Sequence, residues 1–120
     1  MIKGLAFVAL PATDPKRAGA FYREVLGLRA GDWNEDAWVE VTTGCGCAIA
    51  LEHAKHPYIA LETDDIALEI TRLRNLGVEV VADIRPSVEQ EPDAYCRAAW
   101  IKDSEGNNIM IHQLRPELGW

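Results

Sequence analysis

The chain opens on an alternation. In AFVALPA at 6–12, Val8 and Leu10 face one way while Phe7, Ala9 and Pro11 face the other, the period of a β-strand. The period then changes. Asp14 suits an N-cap and Pro15 the first helical position. Ala18, Phe21, Tyr22, Val25 and Leu26 recur near helical spacing before Gly27 supplies a stop. The same order of events returns in the second half. YIALETD at 58–64 echoes FVALPATD at 7–14, with Ile59 and Leu61 on one face and Tyr58, Ala60 and Glu62 on the other. Asp64 or Asp65 caps a helix carrying Ile66, Leu68 or Ala67, Ile70, Leu73 and Leu76, which stops at Gly77. Thirteen steps separate Asp14 from Gly27, and thirteen separate Asp64 from Gly77. Strand pattern, cap, helix length and stop repeat together, which points to an internal duplication.

Short alternating segments follow each helix. The first half predicts strands at 28–33, 37–43 and 47–53; the second predicts them at 78–84, 94–101 and 108–114. KDSEGN at 102–107 is a turn with Gly106 at its tight bend, and the polar, proline-containing stretch 85–93 is a longer loop. The expected fold class is therefore α+β, a single domain over 1–120 made of two tandem βαβββ modules, about 1–54 and 55–116. One helix covers only one face of so small a sheet. Two such sheets side by side would leave a concave cavity, the natural place for a site.

Charge and composition narrow the function classes. A formal net charge of -7 argues against nucleic acid and anionic membrane as partners. Apolar runs such as AIAL at 48–51 are too short to cross a bilayer, and MIKGLAFVALP lacks the long apolar core and cleavage site of a signal peptide. A cytoplasmic location is expected, and Cys45, Cys47 and Cys96 are then thiols. Cys45 and Cys47 with His53 and His56 would sketch a zinc cluster, but the spacing matches no standard finger, and turn thiols are the plainer reading. Lys16, Arg17, Arg23 and Glu24 on the first helix, and Glu69, Arg72 and Arg74 on the second, form solvated faces.

Three stretches carry a family resemblance. TDPKRAGAFYREVLGL at 13–28, IALETDDIALEITRLRNLGVEV at 59–80 and KDSEGNNIMIH at 102–112 cover most of the chain's framework. They resemble the strand-to-helix signature, the second module and the "DPDGN" turn of the vicinal oxygen chelate superfamily, which contains glyoxalase I, bleomycin resistance proteins and extradiol dioxygenases. The resemblance implies the paired βαβββ fold and a homodimer. It leaves the activity open, because this scaffold carries many. Metal-dependent members place ligands on the first, fourth, fifth and eighth strands. Carried over position by position, those places hold Phe7, Ala50 or a residue two away, Tyr58 and Met110. None is a good ligand for a hard divalent cation.

The two-residue period adds Ala48, Glu52, Glu62 and His112 to the same faces, with Trp38 and Glu40 from the third strand and either Arg97 or Trp100 from the seventh. The leading expectation is a small-molecule binding protein with no cofactor. Phe7, Trp38, Tyr58 and Met110, with Trp33 or Trp100, would wall its pocket; Glu40, Glu52, Glu62 or His112 would supply polar contacts. Such a lining suits a planar or cationic organic molecule, as in the bleomycin resistance branch. The plain counterpart is that these aromatics merely fill the space between sheets. A second reading is a metal-dependent lyase or dioxygenase-like enzyme with one divalent metal ion on Glu52, Glu62 and His112; its counterpart is solvated glutamates and a structural histidine. A third makes His112 a metal-free general acid or base oriented by Glu52. The last is an interaction module without a ligand. Trp120 would be an apolar anchor on a partner subunit of the implied homodimer.

Overall fold

The computed structural model describes residues 1–44, 46–87 and 96–114. Cys45, the first two residues of the expected seventh strand, most of the 85–93 loop and Trp120 lie outside the described residues. The described residues form the expected α+β class. Their order is β1 (Ile2–Pro11), α1 (Pro15–Ala20), β2 (Arg29–Asn34), β3 (Trp38–Thr42), β4 (Ala48–Glu52), β5 (Tyr58–Thr63), α2 (Ile66–Asn75), β6 (Val80–Pro86), β7 (Cys96–Lys102) and β8 (Asn108–Leu114). The chain divides into two compact units, Ala6–Ile59 and Met1–Leu5 with Ala60–Trp120.

Each unit has the same topology. In the first, the strand order is β2-β3-β4-β1, with β1 parallel to β4 and the other neighbours antiparallel. In the second it is β6-β7-β8-β5, with β5 parallel to β8. The first strand of each module thus lies beside its fourth, as a duplication requires.

The helices differ in one respect. Asp14 caps α1 by accepting the Arg17 N–H at 3.1 Å, and Asp65 caps α2 by accepting the Leu68 N–H at 3.0 Å. Both helices end at a glycine in the left-handed region, Gly27 at φ +77° and Gly77 at φ +84°. Since Asp65 and not Asp64 is the cap, the second module has twelve steps between cap and stop, one fewer than the first. The first module absorbs its extra residue in a π-helical turn over Phe21–Val25, where the Leu26 N–H reaches the Phe21 carbonyl at 3.3 Å. No residue of that turn is buried, so Phe21, Val25 and Leu26 are exposed rather than core. The buried face of α1 is Pro15 and Gly19. Gly19 lets the helix settle on β3, because a Cβ there would lie 2.6 Å from Val39 Cγ1. Val39, Val41 and Leu51 form the core beneath.

The second unit packs Ile66 and Ile70 of α2 on Ala99 and Ile111, with Leu61, Leu73, Val80, Ile84 and Ile101 around them. Leu68 and Leu76 are exposed. Glu69 overturns its expected place on a solvated face: it is 1% exposed, bonded to Arg72 and to the Met1 ammonium at 3.0 Å. The reason is positional. Residues 66, 69, 70 and 73 follow the spacing of one helical face, so Glu69 is carried inward with the core.

Candidate functional site

In the first unit, the sheet face turned from α1 gathers the aromatic candidates. Strand register puts Phe7 opposite Ala48, Trp38 opposite Glu52 and Glu40 opposite Ala50, all on one face. Phe7 is 7% exposed. The Trp38 ring meets it edge-on at 5.5 Å and 88°, and the Tyr58 ring at 6.2 Å and 71°. Each edge-to-face pair contributes about 0.5–1.5 kcal/mol beyond its buried area. The polar tips of both outer rings end on carboxylates. Trp38 Nε1 donates to Glu40 Oε2 at 2.8 Å, and the Tyr58 hydroxyl donates to Glu52 Oε2 at 2.7 Å. Burial, then the hydrogen bond and the charge of Glu52, push the phenol's pKa well above its ordinary value. Tyr58 is therefore a neutral donor.

In the second unit, register places Ala60, Glu62, Ala98, Trp100, Met110 and His112 on the face opposite the α2 core. Trp100 is the seventh strand's contribution: it stands opposite Met110, whereas Arg97 stands opposite Gln113 and donates to its Oε1 at 3.3 Å. Glu62, 1% exposed, places Oε1 2.6 Å from His112 Nδ1 and accepts the Leu114 N–H on Oε2 at 2.8 Å. Cys96 lies on the same face as a diagonal neighbour of His112, since it stands opposite Leu114. Burial pulls the imidazole pKa down, but the bonds and charges of Cys96 and Glu62 outweigh it, and the pKa is pushed up to about 9.

This geometry corrects one expectation. His112 is oriented by Glu62, not by Glu52, because the parallel register of β5 and β8 puts Glu62 directly opposite it. Glu52 is instead held by Tyr58. Ala48 is level with Phe7, and Ala50 stands opposite Ala9 as Met110 stands opposite Ala60. Register also brings Cys96, which the sequence did not single out for the site, onto the face of His112.

The superfamily's metal positions fit a hard divalent cation poorly. Phe7, Ala48 and Ala50 have no side-chain ligand atom, Tyr58 keeps its proton and donates a hydrogen bond to Glu52, and Met110 offers only a thioether. Among the described residues, no group of three or more His, Cys, Asp or Glu side chains could hold a metal ion. That covers Glu52, Glu62 and His112, and equally Cys47, His53 and His56.

Comparison with known proteins agrees with the fold. A family model described as a glyoxalase-like domain matches residues 7–112. No curated protein matches the sequence. Methylmalonyl-CoA epimerase from Mycobacterium tuberculosis is similar at a TM-score of 0.72 and 22% identity, over 98% of this chain and 91% of that one. A glyoxalase/bleomycin resistance protein/dioxygenase superfamily member from Vibrio splendidus 12B01 has a TM-score of 0.65 and 16% identity, over 92% and 98% of the two chains. A Streptomyces coelicolor methylmalonyl-CoA epimerase variant in complex with 2-nitronate-propionyl-CoA has a TM-score of 0.64 and 18% identity, over 94% and 98%. The repeated strand–helix framework, the shared topology of the two units and the family match over 7–112 agree, and the chain belongs to the glyoxalase-like domain family of the vicinal oxygen chelate superfamily.

Proposed function

We propose that this chain binds a small planar or cationic organic molecule, without a metal, on the Phe7–Trp38–Tyr58 face of its first unit. One observation carries the reading: two carboxylates, Glu40 and Glu52, are fixed at the rim of an aromatic cluster by the indole and the phenol themselves. Trp38 and Tyr58 are half-buried, so a ligand can reach them. A cation over such rings gains about 0.5–2 kcal/mol from the ring quadrupole, and more from the adjacent negative charge. Because the side chains are already held, little ordering cost falls on binding.

Structurally similar epimerases carry coenzyme A esters. Such a ligand is polyanionic, and a chain of net charge -7 with glutamates at the aromatic rim disfavours it. Among the described residues no helix is long and apolar enough to cross a membrane. The superfamily's habit of pairing supports a homodimer, which light scattering would overturn by reporting a mass near 13.3 kDa.

The test is a fluorescence titration with N-methylacridinium, its neutral isostere 9-methylanthracene, and methylmalonyl-CoA. Saturable tryptophan quenching by the cation, lost in Trp38→Ala, is expected. Preference for the coenzyme A ester, or no saturable binding of either aromatic probe, overturns the reading. Elemental analysis showing about one metal ion per chain overturns its metal-free part.

A further inference from the structure

Cys96, His112 and Glu62 take no part in that aromatic face, yet they lie together on one face of the second unit as thiol, imidazole and carboxylate. We propose that Cys96 is a nucleophile, with His112 as its proton partner and Glu62 as the positioning residue, and that this site captures a small activated alkene such as an α,β-unsaturated carbonyl compound.

Strand register sets the geometry. Glu62 is opposite His112, Ala98 is opposite His112, and Cys96 is opposite Leu114, which makes Cys96 and His112 diagonal neighbours on one face. Glu62 holds both ends of this arrangement: Oε1 takes His112 Nδ1 at 2.6 Å, and Oε2 takes the N–H of Leu114, the residue across from Cys96. With Nδ1 engaged, the ring's orientation is fixed and Nε2 is the other site for proton exchange. The carboxylate is buried, so its field on the imidazole is weakly screened. Among the described residues, register also places on this face Arg85 of β6, opposite Ala98, and Lys102 of β7, opposite Asn108 at the far end of the strand; from β8 the neighbour is the uncharged Met110. Cys96 itself is half-buried, with only methyl side chains at Ala98 and Ala60 on the same face. A thiol that served packing alone would not need a buried carboxylate behind its histidine.

The step balances without an added oxidant or reductant. Cys96 Sγ forms a bond to the alkene's β-carbon. The C=C π bond breaks and its electron pair moves onto the carbonyl as an enolate. The proton that leaves the thiol is carried on His112 and passes to the α-carbon, giving a thioether.

The experiment reacts the full chain with N-ethylmaleimide from pH 6 to pH 8 and reads Cys96 and Cys47 separately by peptide mass spectrometry. An ordinary thiol speeds up about 80-fold over that range as its thiolate fraction grows. Cys96 is expected to react at least about 10-fold faster than Cys47 at pH 6 and to change less than about 3-fold by pH 8. A Cys96 rate below that of Cys47 at pH 6, or one that climbs as an ordinary thiol's does, overturns the proposal. Glu62→Gln is expected to restore the steep pH profile at Cys96 while leaving Cys47 unchanged. His112→Gln is expected to slow Cys96 about 10-fold at pH 6. An unaltered Cys96 profile in a folded variant overturns the assigned roles, and if either variant fails to fold, the wild-type profile alone decides.

Discussion

Glu62 stands opposite His112 in the parallel register of β5 and β8, and their side chains meet at 2.6 Å. This pair makes stability depend on pH. The imidazole, pushed up to about 9 in the fold despite burial, prefers to be charged there. A raised folded-state value contributes in full below the unfolded value of about 6.5 and is lost as pH rises through about 9. The unfolding free energy from urea titrations should therefore fall between pH 6.5 and 9, by on the order of 3 kcal/mol, and the midpoint with it. His112→Gln should flatten that slope; a wild-type midpoint constant over the window would contradict the pairing.

At the acid end the controlling group is Glu69. Its hydrogen bond from Arg72, with burial opposing and the Met1 ammonium helping, holds its carboxyl below the usual range. A depressed value contributes stability above about pH 4.5 that disappears as pH falls through the folded-state value. Glu69→Gln should cost about 1–3 kcal/mol at pH 7 and make the acid limb of a stability profile shallower.

Gly19→Ala sets two effects against each other. Alanine gains about 1 kcal/mol over glycine in a helix interior. Its Cβ would sit 2.6 Å from Cγ1 of Val39, a buried β-branched side chain on a strand with little room to turn. Overpacking costs about 1–3 kcal/mol, so a net loss of up to about 2 kcal/mol should appear in urea unfolding. Gain of stability would mean that β3 yields more easily than its burial implies.

Tyr58→Phe and Trp38→Ala separate hydrogen bonding from stacking. The first keeps the ring against Phe7 and removes the donor to Glu52, so it should cost about 1 kcal/mol of stability and alter N-methylacridinium affinity less than about 3-fold. The second removes a wall and should weaken the same ligand at least about 10-fold. Calorimetric titration of both variants distinguishes them.

The framework was legible because its signals are local. Caps, glycine stops and alternation fixed the elements of both modules to within a few residues. The candidate site was harder, since it depends on which strands are neighbours. By position in the repeat, Phe7 corresponds to Tyr58 and Pro11 to Glu62, and Pro11 stands opposite Glu52 just as Glu62 stands opposite His112. Parallel pairing of a module's first and fourth strands would have led straight from His112 to Glu62. Without it, Glu52 was the carboxylate that the sequence offered. The undecided phase of β7 hid Cys96 as well: four residues before Trp100, it shares that side chain's face once the phase is known. Glu69 was assigned outward because its charge was given more weight than its place on the helix.

The π-helical turn after α1 has a consequence for how such a chain can vary. One module carries a residue that its twin does not, yet both run from an aspartate cap to a left-handed glycine. Widening a single turn lets the surplus residue disappear before the sheet resumes, so the frame of the following strands is insulated from a change in length. Deleting one residue from 21–25 should then convert this stretch to a uniform α-helix and leave the pairing of β2 with β3 where it is. The two copies could thus drift in length while keeping a common architecture.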